Sequence, residues 1–202
     1  MTIILILITT LVSFIGFYNN TVTSKLIFDP LAIKQNKEWW RFVTCGLLHS
    51  DFLHLFINMF VLYSFGQATE MYYSYAFGSK STVLYLMLYI SGIFAANVST
   101  YYKYQNSPTY RSLGASGAVS AVLFTTLIFN PYAKIYLYGI LGLPGILLGV
   151  AYLIYSYYMS KKEGDHINHE AHFYGALYGI LFPIAFKPAL FLVFIRQLLM
   201  LN

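Results

Sequence analysis

Four polar residues stand out against apolar surroundings in this chain: His54, Asn58, Ser116 and His172. Their types make up the parts of an acyl-transfer site. A serine hydroxyl attacks a carbonyl only when a base removes its proton. A neutral histidine is the usual base near pH 7. The tetrahedral oxyanion that follows needs N–H donors, which backbone amides, asparagine and histidine can supply. His54 and Asn58 are four apart and share one face of a helix.

Ser116 lies in Gly114-Ala115-Ser116-Gly117, at the head of the apolar run 118–129. His172 heads a second small-residue stripe with Gly175 and Gly179. These three fall within roughly 60° on a helical wheel. Small residues on such a stripe let two membrane helices approach closely. Gly114, Ala115 and Gly117 thin the facing segment, so the His172 imidazole could reach the Ser116 hydroxyl. Each residue also has a plainer reading. A serine in a membrane helix usually bonds the carbonyl one turn back or a neighbouring helix. A lone membrane histidine is more often a helix–helix hydrogen-bonder, and a glycine stripe is more often packing. Gly-x-Ser-Gly is not the nucleophile elbow of soluble hydrolases, because Ala118 fills its last position.

The elements that must carry these residues are helices in lipid. Hydrophobic residues make up 58% of the 202 and charged residues 9%, where soluble domains carry roughly a quarter charged residues. Twenty tyrosines and 17 phenylalanines suit membrane interfaces and helix packing. Apolar segments at 2–18, 52–72, 82–102, 114–130, 144–159 and 170–186 predict six spans in a single all-α integral membrane domain, 1–202. The first lacks a basic flank and a small-x-small cleavage site, and so reads as a membrane helix and not as a signal peptide. Residues 19–51, with Trp39 and Trp40, predict short helices lying in the interface. Pro144 is expected to open the fifth helix. The stretch 132–143 reads as a surface loop or as the first half of that helix. The tail 187–202 reads as an interfacial helix or a continuation of the sixth. The second, fourth and sixth helices all begin on one side of the membrane, which puts the four polar residues at one depth. Intramembrane polar groups could instead line a transport path, but no matching set lies at another depth.

Other classes find less support. The net charge of +5 is spread along loops, which suits a membrane surface and not nucleic acid. Cys45 is the single cysteine and reads as a small buried hydrophobe. His166, His169 and His172 are spaced by three beside Glu170, but the zinc-protease pattern would need histidine where Phe173 stands. No metal or other cofactor is expected. His166 and His169 read as loop residues, and His49 as a hydrogen-bonding loop histidine.

Taken together, the motifs resemble those of the rhomboid intramembrane serine proteases. The resemblance runs from about 38 to 186 through four blocks in order: Trp40-Arg41, His54-x-x-x-Asn58, Gly114-Ala115-Ser116-Gly117, and Ala171-His172-x-x-Gly175-x-x-x-Gly179. It implies a rhomboid-like six-helix bundle with an interfacial first loop. It implies a Ser116–His172 dyad, with His54, Asn58 and the Ser116 backbone N–H as oxyanion hole beside Gly114. Trp40, Arg41, Gly117, Gly175 and Gly179 would support packing. The substrates would be transmembrane proteins cut in or near their spans. The location would be a bacterial plasma membrane, with the site open to the extracytoplasmic side and the fifth helix gating it. A catalytically silent relative that binds membrane proteins is the alternative. The implied cytoplasmic N-terminus runs against the Lys/Arg count. Only Lys80, Lys134, Lys187 and Arg196 would then face the cytoplasm, a bias that the long interfacial loop distorts. The departure from the pattern is Ser120, where many relatives carry a tyrosine that stacks on the histidine.

Overall fold

The chain enters as helix α1, Thr2–Tyr18, whose patterning is inverted relative to a soluble amphipathic helix. Thr2, Thr9 and Ser13 are its buried residues, while Ile3, Leu7, Leu11 and Phe14 face outward. The buried stripe is polar because it bonds to neighbours: Thr2 Oγ1 meets Tyr85 Oη at 2.8 Å, and Ser13 Oγ donates to the Leu47 carbonyl at 2.8 Å. An apolar outer face of this kind marks a surface made to meet lipid or another apolar partner. The computed structural model describes residues 1–137, 140–162 and 167–200.

The first loop folds into three short helices: α2, Asn20–Leu26; α3, Pro30–Asn36; and α4, Arg41–Thr44, followed by a 3-10 turn at Cys45–Leu47. Asn19 caps α2 and Asp29 caps α3 through their side chains, and Pro30 supplies a preset first-turn φ. Asp51 then caps α5, Phe52–Phe77, and a 3-10 turn at Gly78–Lys80 leads into α6, Ser81–Tyr104. α5 outruns its expected end at 72 because no breaker occurs before Gly78, which adopts φ 54°. The helical run Phe52–Tyr104 is long and apolar enough to cross a membrane, while the helices at 2–18, 116–129, 145–159 and 189–198 are apolar but shorter.

Helix α7, Ser116–Phe129, is the centre of the bundle. Its buried residues cover every face, from Gly117 through Ile128. It packs on α5, on α6 and on α9, His169–Phe186. The main core joins Leu55 and Leu62 of α5, Tyr85 and Leu88 of α6, Val119 and Val122 of α7, and Phe182 of α9. Two polar contacts tie the helices together here: Thr69 Oγ1 meets Thr126 Oγ1 at 2.9 Å, and Thr125 Oγ1 donates to the Gly179 carbonyl at 2.7 Å.

The stretch expected as a loop or half-helix is a β-hairpin. Strand β1, Lys134–Leu137, pairs antiparallel with β2, Leu141–Pro144, in the register Lys134 to Pro144 and Tyr136 to Gly142. Pro144 therefore ends a strand, with ψ 130°, and α8, Gly145–Met159, starts one residue later. The chain ends in α10, Ala189–Leu198, which packs on α7 and α9.

Candidate active site

Ser116 is the first residue of α7, and the turn before it explains why. Gly114 has φ 128°, a backbone conformation that side-chain-bearing residues rarely adopt. Ala115 is the N-cap residue, so the helix begins two residues after the expected 114. The first N–H groups of α7 have no intrahelical acceptor. They present the positive end of the helix dipole beside the Ser116 side chain.

The His172 segment is fixed by its own cap. Asn168 precedes α9, and its Oδ1 accepts the Ala171 N–H at 3.0 Å. Its Nδ2 reaches Thr100 Oγ1 of α6 at 3.2 Å. Glu170 takes a hydrogen bond from Ser99 and lies 3.9 Å from Lys103 Nζ. Lower down, α9 touches α7 backbone to backbone. A methyl on Gly175 would overlap the Gly117 carbonyl oxygen and lie 2.9 Å from Gly117 Cα. One on Gly179 would overlap the Ala121 carbonyl oxygen and lie 2.6 Å from Ala121 Cα. Gly117 has Ala96 of α6 against it on another side. The small-residue stripe thus brings together the opening turns that carry Ser116 and His172.

His54 reaches the same place from α5. A methyl on Gly114 would stand 2.9 Å from His54 Cε1, 3.1 Å from His54 Nε2 and 3.9 Å from Ser116 Oγ. Gly114 is therefore the gap between the His54 ring and the serine hydroxyl. Ser50 donates its one proton to Asp51 Oδ2 at 2.7 Å, and its oxygen lies 3.1 Å from His54 Nδ1. That oxygen must then accept from Nδ1–H, which leaves a lone pair on Nε2 of the neutral ring. Asp51 also accepts the His54 backbone N–H at 2.8 Å, and this bond, then the one from Ser50, holds its carboxyl below the usual range. Asn58 is buried one turn on, where its Nδ2 donates to the His54 carbonyl at 2.9 Å. One of its two amide protons is thus committed to its own helix.

The turn before Ser116 is held by the first loop. Phe28 and Ser112 exchange backbone bonds of 3.0 and 3.1 Å. The Gly114 N–H donates to the Cys45 carbonyl at 3.0 Å, and Arg111 pairs with Asp29 at 3.0 Å. Arg41 and Trp40 serve this loop and not the α7–α9 contact. The Arg41 guanidinium donates to the Ser24 and Ile27 carbonyls at 2.8 Å each, and Trp40 Nε1 lies 3.4 Å from the Lys25 carbonyl. Cys45 is buried, and burial pushes its thiol up to about 12.

Two residues outside the sequence-derived set bear directly on the site. His49, expected as a loop histidine, is buried under the turn. Its Nε2 accepts the Ala115 N–H at 3.4 Å, and its Nδ1 meets Ser13 Oγ at 2.9 Å. Burial first, then the neighbouring His54, lowers it from 6.5 to about 3, against a smaller opposing effect of Asp51. The second is Tyr152 of α8. Its ring stacks on His172, with centroids 6.2 Å apart and planes 13° from parallel, and its hydroxyl meets Ser120 Oγ at 2.7 Å. Phe173 and Tyr174, the aromatics next to His172 in sequence, contact Tyr157 and each other. His169 is buried at the head of α9, its ring 5.8 Å from that of His172. His166 lies outside the described residues. Among the described residues, no three of His, Cys, Asp or Glu converge as a metal site.

A family profile, the Rhomboid domain, matches residues 36–188. The chain belongs to the rhomboid family. This is a family of helical integral membrane proteins with proteases among its named members. This rhomboid chain is similar to RHOMBOID-like protein 12, mitochondrial, of Arabidopsis thaliana, at 30% identity over 66% of the chain and 42% of that protein. It is similar to Rhomboid-related protein 2 of Mus musculus at 26% identity, over 79% of the chain and 53% of that protein. It is similar to Rhomboid protease AarA of Providencia stuartii at 28% identity, over 74% and 56%. The chain thus spans about half the length of these relatives. The rhomboid match takes in α4 through α9 and every candidate site residue.

Proposed function

We propose that this rhomboid is an intramembrane serine endopeptidase that cuts transmembrane proteins in or near their spans with a Ser116–His172 dyad. The observation that supports the reading is the contact of Gly117 with Gly175, which joins α7 and α9 just beyond the turns bearing the two residues. Across Gly114 from the Ser116 hydroxyl stands the His54 ring.

In this mechanism His172 takes the Ser116 proton as Oγ attacks the scissile carbonyl. The oxyanion is received by backbone N–H groups at the start of α7, by the remaining Asn58 amide proton, and by His54. His54 donates from Nε2 once a proton is there, either by protonation of the ring or by release of Nδ1 from Ser50. His172 then protonates the leaving amine, and water hydrolyses the acyl-enzyme with His172 again as base. No third acidic residue takes part.

Six spans carry this chemistry: α1, α5, α6, α7, α8 and α9. At 14 residues, α7 is about 21 Å long against a hydrocarbon core of about 30 Å. With its far end at one interface, Ser116 sits below the opposite one. The site opens to the extracytoplasmic side of a bacterial plasma membrane. An extended substrate is required, because a regular helix hides its carbonyls.

The test is cleavage of a single-span protein by the chain reconstituted in liposomes. Wild type cuts; Ser116→Ala and His172→Ala each lose at least about 10³-fold, since dyad members act as a unit. Continued cutting by Ser116→Ala would sink the dyad. Wild-type chain that ignores a fluorophosphonate probe yet binds single-span proteins would be a silent relative.

A further inference from the structure

In the pattern this chain resembles, the aromatic support of the base comes from the helix of the nucleophile, one turn after the serine. Here that position is Ser120, which is buried and cannot stack. The ring comes instead from a different helix. Tyr152 lies nearly parallel to His172 at a centroid separation of 6.2 Å, within the range of offset-stacked pairs. Ser120 keeps a part in this arrangement, since its hydroxyl meets Tyr152 Oη at 2.7 Å and fixes the ring in rotation. Two residues thus divide what one tyrosine would do: Tyr152 supplies the face, and Ser120 supplies the anchor on α7.

The face that α8 turns inward explains how a tyrosine fits there. Gly145, Gly149 and Ser156 are its buried residues. They share a stripe with Tyr152 at helical spacing. A methyl on Gly149 would lie 2.7 Å from Leu127 Cδ1 and 3.5 Å from Phe124 Cε1. The glycines let α8 sit close to α7 one turn before Tyr152, and this depth lets its ring reach across to α9. A second rung runs alongside: Tyr155 meets His169 edge-on at 5.5 Å, and His169 meets His172 at 5.8 Å. Pairs spaced by three on α8 and on α9 therefore face each other.

We infer that Tyr152 is the positioning residue for His172, held by Ser120, so that the seating of α8 on α7 sets the alignment of the base. The inference rests on the Ser116–His172 reading. A flat face against one side of the imidazole restricts rotation about its side-chain torsions and keeps one ring nitrogen toward the serine. Because the face is borne by α8, a movement of that helix away from α7 withdraws it from His172 without disturbing the Gly117–Gly175 contact.

The experiment uses the full chain in liposomes and reads the rate of fluorophosphonate labelling at Ser116 against pH, with kcat and KM on a single-span substrate. Tyr152→Phe keeps the face but loses the bond to Ser120, so it is expected to slow labelling severalfold, as Ser120→Ala does, and less than Tyr152→Leu. Tyr152→Leu removes the face and is expected to lose about tenfold or more in labelling and kcat, a fraction of the ~10²–10⁴ that a placed base supplies. KM should stay within twofold, and the pH midpoint of labelling should shift. A Tyr152→Leu protein that labels at the wild-type rate with the wild-type midpoint overturns the inference. Ser120→Ala, which removes only the anchor, covers the case of an unstable Tyr152→Leu: it should slow labelling severalfold, and adding Tyr152→Phe should slow it no further. Ser120→Ala at the wild-type rate counts equally against the inference. Absence of labelling in wild type, or labelling that survives Ser116→Ala, is instead a failure of the dyad reading. The His172 imidazole resonances, which a stacked ring shifts, must still move in Tyr152→Leu, so the stacking is judged separately.

Discussion

Gly117 and Gly175 touch through their backbones, and the space between them is too small for one methyl group. This contact sets the spacing of α7 and α9 at the level of Ser116 and His172. Cores respond to overpacking by moving backbone or forcing rotamers, at about 1–3 kcal/mol and sometimes more. Here the obstruction is backbone, which has no rotamer to change.

Gly175→Ala should therefore cost about 3 kcal/mol or more and lower fluorophosphonate labelling together with stability. Gly78→Ala serves as the control. Gly78 also has a positive φ, 54°, but nothing lies within 4 Å of an added methyl, so its cost should be of order 1–3 kcal/mol, from backbone conformation alone. Thermal unfolding in a fixed detergent reads both. Equal losses for the two variants would remove the close contact as the reason for glycine at 175.

Gly114→Ala should separate activity from stability. The residue sits at φ 128°, and a methyl there enters the gap between the His54 ring and Ser116 Oγ. The backbone strain is of order 1–3 kcal/mol. Cleavage should fall by about a hundredfold or more, the scale of removing an oxyanion donor. A Gly114→Ala protein that unfolds near the wild-type temperature and cleaves normally would mean that this gap is not where the reacting carbonyl sits.

His49 predicts a pH dependence whose sign can be worked out. Unfolded, it takes up a proton near pH 6.5; folded, burial delays protonation to about pH 3. Between these values the unfolded chain binds more protons, so stability rises with pH. The contribution is fully present above about pH 6.5 and is lost as pH falls toward 3, at about 1.4 kcal/mol per pH unit and so on the order of 5 kcal/mol at most. A proton on Nε2 would also point at the Ala115 N–H and open the turn before Ser116. His49→Gln can keep both bonds without titrating, so its unfolding should change less between pH 7.5 and 4.5 than that of wild type. Parallel pH slopes for the two proteins would clear His49 of this role.

The sequence was readable where a single helix face carries the information. The stripe from His172 through Gly175 and Gly179 is periodic, and so is the pairing of His54 with Asn58. The start of α5 was readable, at the residue after Asp51, but its end was not, because the chain stays helical past 72 as far as Phe77. Other features depend on what lies across a contact. Tyr152 is one of many tyrosines in this chain, and only the close seating of α8 on α7 singles it out. His49 is the hydrogen-bonding loop residue that the sequence suggested, but its partners, Ser13 and the Ala115 N–H, appear only when distant segments fold over it. The hairpin at Lys134–Pro144 escaped because its apolar residues fit a membrane-surface loop equally well, and two strands pair by register, which short apolar runs do not encode.

The bonds from Phe28 to Ser112 and from Ala115 to His49 have a consequence for the order in which the molecule matures. The second of these joins residues 66 apart in the chain. Such distant contacts form only after the loop-closure entropy between them has been met, and they arrive late in folding. The turn that presents Ser116 acquires its final shape only when the first loop, made far earlier in synthesis, docks back upon it. On the Ser116–His172 reading, the nucleophile gains its final setting only once this docking is complete.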